Sequence, residues 1–103
     1  MDPNAPAAVQ ITNNNQQDVD VFLDRGGERL RLGMVTTGQS QTFSVPAMQV
    51  RGRNDLRIVV HPIGGGGDYN TETLVMEPGE TLDLQVAPVL DHSRLLKTAA
   101  DPS

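Results

Sequence analysis

Apolar residues recur at every second position along this chain, and turn residues interrupt them about every ten positions, so the pattern predicts short strands rather than helices. The clearest run is Val19 to Asp24. Val19, Val21 and Leu23 share one face, while Asp18, Asp20, Phe22 and Asp24 share the other. Its partner follows at once, Leu30, Leu32 and Met34 alternating with Arg29, Arg31 and Gly33. Between them Gly26-Gly27 supplies the two-residue, positive-φ turn that hairpins favour. With Arg25 opposite Glu28, this turn sets Leu23 against Leu30, Val21 against Leu32 and Val19 against Met34. On the outer face the same register pairs Asp24 with Arg29, an ion pair, and Phe22 with Arg31, a cation–π contact. A slip of one residue would set Leu23 against Arg29 and destroy the match on both faces.

Around this hairpin, Val9 and Ile11 predict a short first strand, and Asn13 to Gln17 a turn, with a low-complexity tract as the other reading. Gln39 to Val45 is a strand with Phe43 and Val45 inward and hydroxyl residues outward, ended by Pro46. Leu56 to His61 is nearly continuously apolar and belongs in the middle of a sheet. Gly64 to Gly67 reads as a mobile loop before a strand from Tyr69 to Met76. Glu77-Pro78-Gly79-Glu80 has the composition of a type II turn, and Leu82, Leu84 and Val86 form a strand that Pro88 ends. Val89 to Lys97 is an eighth strand or a docked tail. The expected organisation is a flexible segment over 1–8, one β domain over 9–97 and a flexible tail over 98–103. The expected fold is all-β, an immunoglobulin-like or transthyretin-like sandwich of about seven antiparallel strands, with a small β-barrel as the alternative.

Composition narrows the function more than the fold. A chain of 103 residues holds one core, and with only Phe22, Phe43 and Tyr69 as aromatic residues, Val, Leu, Ile and Met must supply most of the burial. The formal net charge of −5 repels a nucleic-acid backbone, so no nucleic acid is expected as a partner. Without Cys there is no disulfide, thiolate nucleophile or zinc-thiolate site. The start of the chain lacks the basic and apolar regions of a signal peptide, and there is no run of eighteen apolar residues, so no membrane-spanning segment is expected. The location expected is cytoplasmic if Met1 is the native start. It is the cell envelope or outside the cell if the chain is a mature or trimmed form, whose Pro/Ala-rich start would suit a tether.

Candidate chemistry is sparse. His61 and His92 lie in different segments, and Ser40, Ser44 and Ser93 lack the Gly-x-Ser-x-Gly elbow of a nucleophilic serine, so no catalytic residue and no cofactor is expected. Asp18, Asp20 and Asp24 alternate along a strand beside Arg29 and Arg31, which reads as a charge-paired face rather than a calcium loop. Met34, Met48, Met76, His61 and His92 are soft or borderline ligands that admit copper, but they form no clustered motif, and the strand methionines are ordinary gap-fillers. The candidate interaction residues are Arg51, Arg53 and Asp55 in the densest basic stretch, Gly65 and Gly66 in the glycine run, and Tyr69 beside it.

Val9-Gln10-Ile11-Thr12-Asn13-Asn14, Arg29-Leu30-Arg31-Leu32-Gly33, Leu56 to His61 with Pro62-Ile63-Gly64-Gly65, and Glu77-Pro78-Gly79-Glu80 together resemble a set of short bacterial envelope proteins, often lipoproteins. The resemblance spans roughly Val9 to Val86. It implies a small β-sandwich and an envelope location, and it carries over no functional residue. The function expected is a non-catalytic protein-interaction or structural module with a protein partner or a second copy of itself, self-association running through an edge such as the first strand or the tail after Pro88. The alternatives are a small periplasmic copper-binding protein and a hydrolytic enzyme.

Overall fold

The structure is a computed structural model that describes residues 5–88 and 93–98. Eight strands and one short helix follow in the order β1 (Ala7–Asn13), β2 (Val19–Arg25), β3 (Glu28–Val35), β4 (Ser40–Val45), α1 (Ala47–Val50), β5 (Leu56–Pro62), β6 (Tyr69–Asn70), β7 (Thr81–Val86) and β8 (Arg94–Thr98). They form two four-stranded sheets, β4-β1-β7-β8 and β3-β2-β5-β6. This is an all-β sandwich, and its two separate sheets replace the alternative of a closed barrel. Alternation builds the core. Val9 and Ile11 of β1, Val19, Val21 and Leu23 of β2, Ile58 and Val60 of β5, and Leu82, Leu84 and Val86 of β7 are all buried in one cluster between the sheets. Each such side chain contributes on the order of 1.5–3 kcal/mol of transfer free energy.

Several expectations change in detail. Strand count rises from about seven to eight, because Arg94–Thr98 pairs antiparallel with β7, and the segment after Pro88 thus contains the eighth strand. One junction is parallel, β1 with β7. Period-two alternation says which side chains are buried and is silent on strand direction, so this could not be read from it. β1 begins at Ala7, inside the segment expected to be flexible, and it lies between β4 and β7, so the first strand is no edge. The strand expected over Tyr69 to Met76 shrinks to Tyr69–Asn70. Beyond it, Thr71 Oγ1 accepts the Ile58 N–H at 3.0 Å and Leu74 bridges to Leu56. Residues 89–92, which include His92, and 99–103 lie outside the described residues.

The hairpin follows its expected register over half its length. Arg25↔Glu28, Asp24↔Arg29, Leu23↔Leu30 and Phe22↔Arg31 pair as read from the sequence. A bulge between Phe22 and Val21 then makes Leu32 an extra residue, so that Val21 faces Gly33, Asp20 faces Met34 and Val19 faces Val35. Met34 is therefore turned outward and is 45% exposed, instead of packing inward against Val19. The type II turn forms as expected, with Glu80 N–H donating to Glu77 O at 3.1 Å and Gly79 at φ 82°.

The Asn13–Gln17 turn closes one end of the sandwich with buried amides. Asn13 Nδ2 donates to Gln17 O (2.9 Å) and Val35 O (3.1 Å), and its Oδ1 accepts the Asn15 N–H at 2.9 Å. Asn15 Nδ2 in turn donates to Ala87 O (3.2 Å) and Pro88 O (3.1 Å). This stretch is a built plug rather than a low-complexity tract.

Candidate functional site

The residues singled out in the sequence do not form one site. Arg51, Arg53 and Asp55 precede Leu56, which pairs with Arg25, whereas Gly65 and Gly66 follow Pro62, which pairs with Val19. The two groups lie at opposite ends of β5, about 20 Å apart at the ordinary rise of a strand. Arg53 grips Asp55 by two bonds, Nε to Oδ1 at 3.0 Å and Nη2 to Oδ2 at 2.9 Å, and reaches Arg25 O at 3.4 Å. The pair buttresses the Gly26-Gly27 turn, where a Cβ on Gly26 would stand 2.5 Å from Asp55 Oδ2. The hydrogen bond from Arg53 lowers the Asp55 pKa below the usual carboxylate value, and the same bond raises that of Arg53. The glycine loop has its own anchor, Gln17 Nε2 donating to Gly65 O at 3.3 Å. Tyr69 packs against the core, and its hydroxyl donates to Ser93 O at 3.4 Å.

The outer face of the β3-β2-β5-β6 sheet carries a belt of charge. Arg29, not Arg31, lies over the Phe22 ring, its Cζ 5.9 Å from the centroid. The same guanidinium reaches Asp24 at 4.0 Å and Asp68 at 3.7 Å, and Asp68 Oδ1 meets His61 Nδ1 at 2.6 Å. Arg31 is held by Asp20 at 2.8 Å. Exposed pairs of this kind contribute about 0–1 kcal/mol each and mainly set register. His61 does meet a carboxylate, as a hydrolase would require, on the outer face of the sheet. Of the copper candidates, Met34 shares a row with Asp20 and His61 across three strands, Met76 is buried in the core, and Met48 projects from α1 at 74% exposure.

The sheet edges differ more sharply from one another than any of these side-chain groups. β6 is two residues long, and β3 carries Glu28, Arg29, Arg31 and a bulge; shortness, charge and bulging are the usual guards against unwanted pairing. β4 has none of them. Ser40-Gln41-Thr42-Phe43-Ser44-Val45 contains no charge, no Pro and no Gly, and all but Phe43 and Val45 are exposed. The sequence contained this signal, an uncharged strand of good β-formers, but its position at an edge depends on pairing with β1 far away in the chain.

Hydrogen-bond phase shows what this edge presents. Asn13 N–H donates to Gln39 O at 2.9 Å and its C=O accepts the Gly38 N–H at 2.8 Å, so Asn13 turns both groups toward the β4 side, and residues of β1 with this orientation alternate along the antiparallel ladder. The β1–β4 register therefore turns the N–H and C=O of Gln41, Phe43 and Val45 toward β1 and those of Ser40, Thr42 and Ser44 outward. Ala8 N–H donating to Glu80 O at 2.8 Å, on the β7 side, fixes the same phase.

Beside this edge the two sheets part to leave a groove of about 450 Å³, lined by Leu30, Leu32, Phe43 and Pro46 with Arg31, Thr42, Ser44 and Gln49 at its margins. Its floor is apolar because Leu30, Leu32 and Phe43 are only half covered by the core they pack against.

Comparison with known protein families and with curated proteins finds no match. Among solved structures, an NMR structure of a protein from Eubacterium rectale is similar in fold, with a TM-score of 0.57 at 8% sequence identity, over 100% of this chain and 98% of that one. The likeness is one of fold alone.

Proposed function

We propose that this protein is a non-catalytic interaction module that takes an extended strand onto the free edge of β4. The observation that carries the reading is that β4 alone among β3, β4 and β6 offers outward backbone donors and acceptors, at Ser40, Thr42 and Ser44, with no charge, bulge or shortness to guard them. Strand addition uses main-chain bonds for affinity and neighbouring pockets for alternate side chains, and the groove over Leu30, Leu32 and Phe43 is placed to supply the pockets. The resemblance to small envelope proteins suggests an envelope setting for it.

Selection from a random-peptide display library tests this reading. Wild-type protein is expected to enrich uncharged segments with alternating apolar residues, and those segments should lose binding to Thr42→Pro, which removes an outward N–H and leaves the β1 ladder whole. Binders that hold Thr42→Pro as well as wild type would contradict it.

A further inference from the structure

We infer that the strand received by this edge is β4 of a second copy, paired antiparallel about Thr42, an inference that rests on the edge reading above. The outward residues Ser40, Thr42 and Ser44 are spaced symmetrically about Thr42. A two-fold axis there sets Thr42 against Thr42 and Ser40 against Ser44, so every outward N–H and C=O of the strand finds its counterpart. Shifting the register by two residues toward the C-terminus would set Ser40 against Pro46, which has no N–H. In the symmetric register Pro46 falls instead opposite Gly38, whose Cα has nothing within 4 Å of where a side chain would start, so the ends of the two strands do not collide.

Side-chain chemistry points the same way. An axis through Thr42 sets that residue against its own copy and every neighbour against another residue of the same strand, so a charge in the strand would lie close to its like; Ser40 to Val45 carries none. On the inner face, Gln41 of the second copy lands opposite Phe43, with its aliphatic stem beside the ring and the groove margin. On the outer face the hydroxyls of Ser40, Thr42 and Ser44 form a ladder across the junction, extending the bond already present between Ser40 Oγ and Thr12 Oγ1 at 3.1 Å. The product is a continuous eight-stranded sheet made from two copies of β4-β1-β7-β8. Because only one short edge is buried, the dimer is expected to be weak, with a Kd in the range of about 10 μM to 1 mM.

Sedimentation equilibrium on the full chain, with charge-swap variants at the axis, tests the inference. Wild type should shift from monomer to dimer as concentration rises to about 1 mM. Thr42→Arg and Thr42→Glu, each setting like charges face to face, should each weaken the dimer about fivefold, and an equimolar mixture of the two should regain it. Melting curves of both variants should match wild type, because the Thr42 side chain is exposed. A wild-type monomer at all concentrations would overturn the inference, as would a dimer indifferent to both substitutions or a mixture no tighter than its components. If wild type is monomeric yet still binds display-selected strands through β4, self-pairing falls and the edge reading stands. If both fail, the edge reading falls too.

Discussion

Phe43 of β4 lies against the bare Cα of Gly33 in β3, so closely that a Cβ built on Gly33 would stand 2.6 Å from Phe43 Cε1. The contact joins the edge strands of the two sheets, and the bulge that makes Leu32 an extra residue is what brings Gly33 to this position. Gly33→Ala forces the ring toward the groove or pushes the sheets apart. Urea denaturation should show a loss of about 1–3 kcal/mol. Phe43→Leu in the same chain should make the two losses less than additive, because the smaller side chain relieves the clash.

The buried amide plug gives a second expectation. Asn13→Ala leaves Gln17 O, Val35 O and the Asn15 N–H without their partner, and should cost about 1–3 kcal/mol in the same measurement. Asn14→Ala, at an exposed position one residue away, should change stability by less than about 0.5 kcal/mol.

Acid sensitivity follows from Asp55. Its folded pKa is lowered by the Arg53 bond, so the pair's contribution is fully present above the ordinary carboxylate pKa of 3.8 and is lost as pH falls through the lowered folded value. Melting temperature followed from neutral pH down through this window should fall less steeply for Asp55→Asn than for wild type. Parallel curves would show that the pair does not contribute.

Much of this fold is legible in the chain. Gly26-Gly27 specifies the hairpin because a tight turn and charge complementarity on one face act locally, and the pairs from Arg25 to Phe22 follow from them. The bulge beyond Phe22 does not follow. It sets Gly33 against Phe43 of the other sheet, and a contact between sheets is not written in the alternation of one strand. The same limit applies to the site. Arg51, Arg53 and Asp55 precede the run Leu56 to His61 and Gly65 and Gly66 follow it, so their separation is legible in the strand between them, but which side chains of the other strands meet each group is not. Ser40 to Val45 reads as an ordinary strand until its neighbours are known, because an edge is a property of the whole sheet.

Proline scanning along β4 separates the edge from the ladder. Thr42→Pro should retain the fold with a loss of no more than about 1 kcal/mol, since its N–H faces outward. Phe43→Pro removes a ladder donor to β1 together with the ring over Gly33, and should cost on the order of 3 kcal/mol or more. Equal losses at the two positions would mean that the Thr42 N–H, like that of Phe43, faces β1.

Residue-resolved amide hydrogen exchange along β4 tests the central claim most directly. In dilute free protein, Gln41, Phe43 and Val45 should exchange slowly and Ser40, Thr42 and Ser44 fast. Raising the protein concentration, or adding a display-selected strand, should slow Ser40, Thr42 and Ser44 and leave the other three unchanged. Contradiction would be amides of Ser40, Thr42 and Ser44 that are already protected in the dilute monomer, or that stay fast when a partner binds.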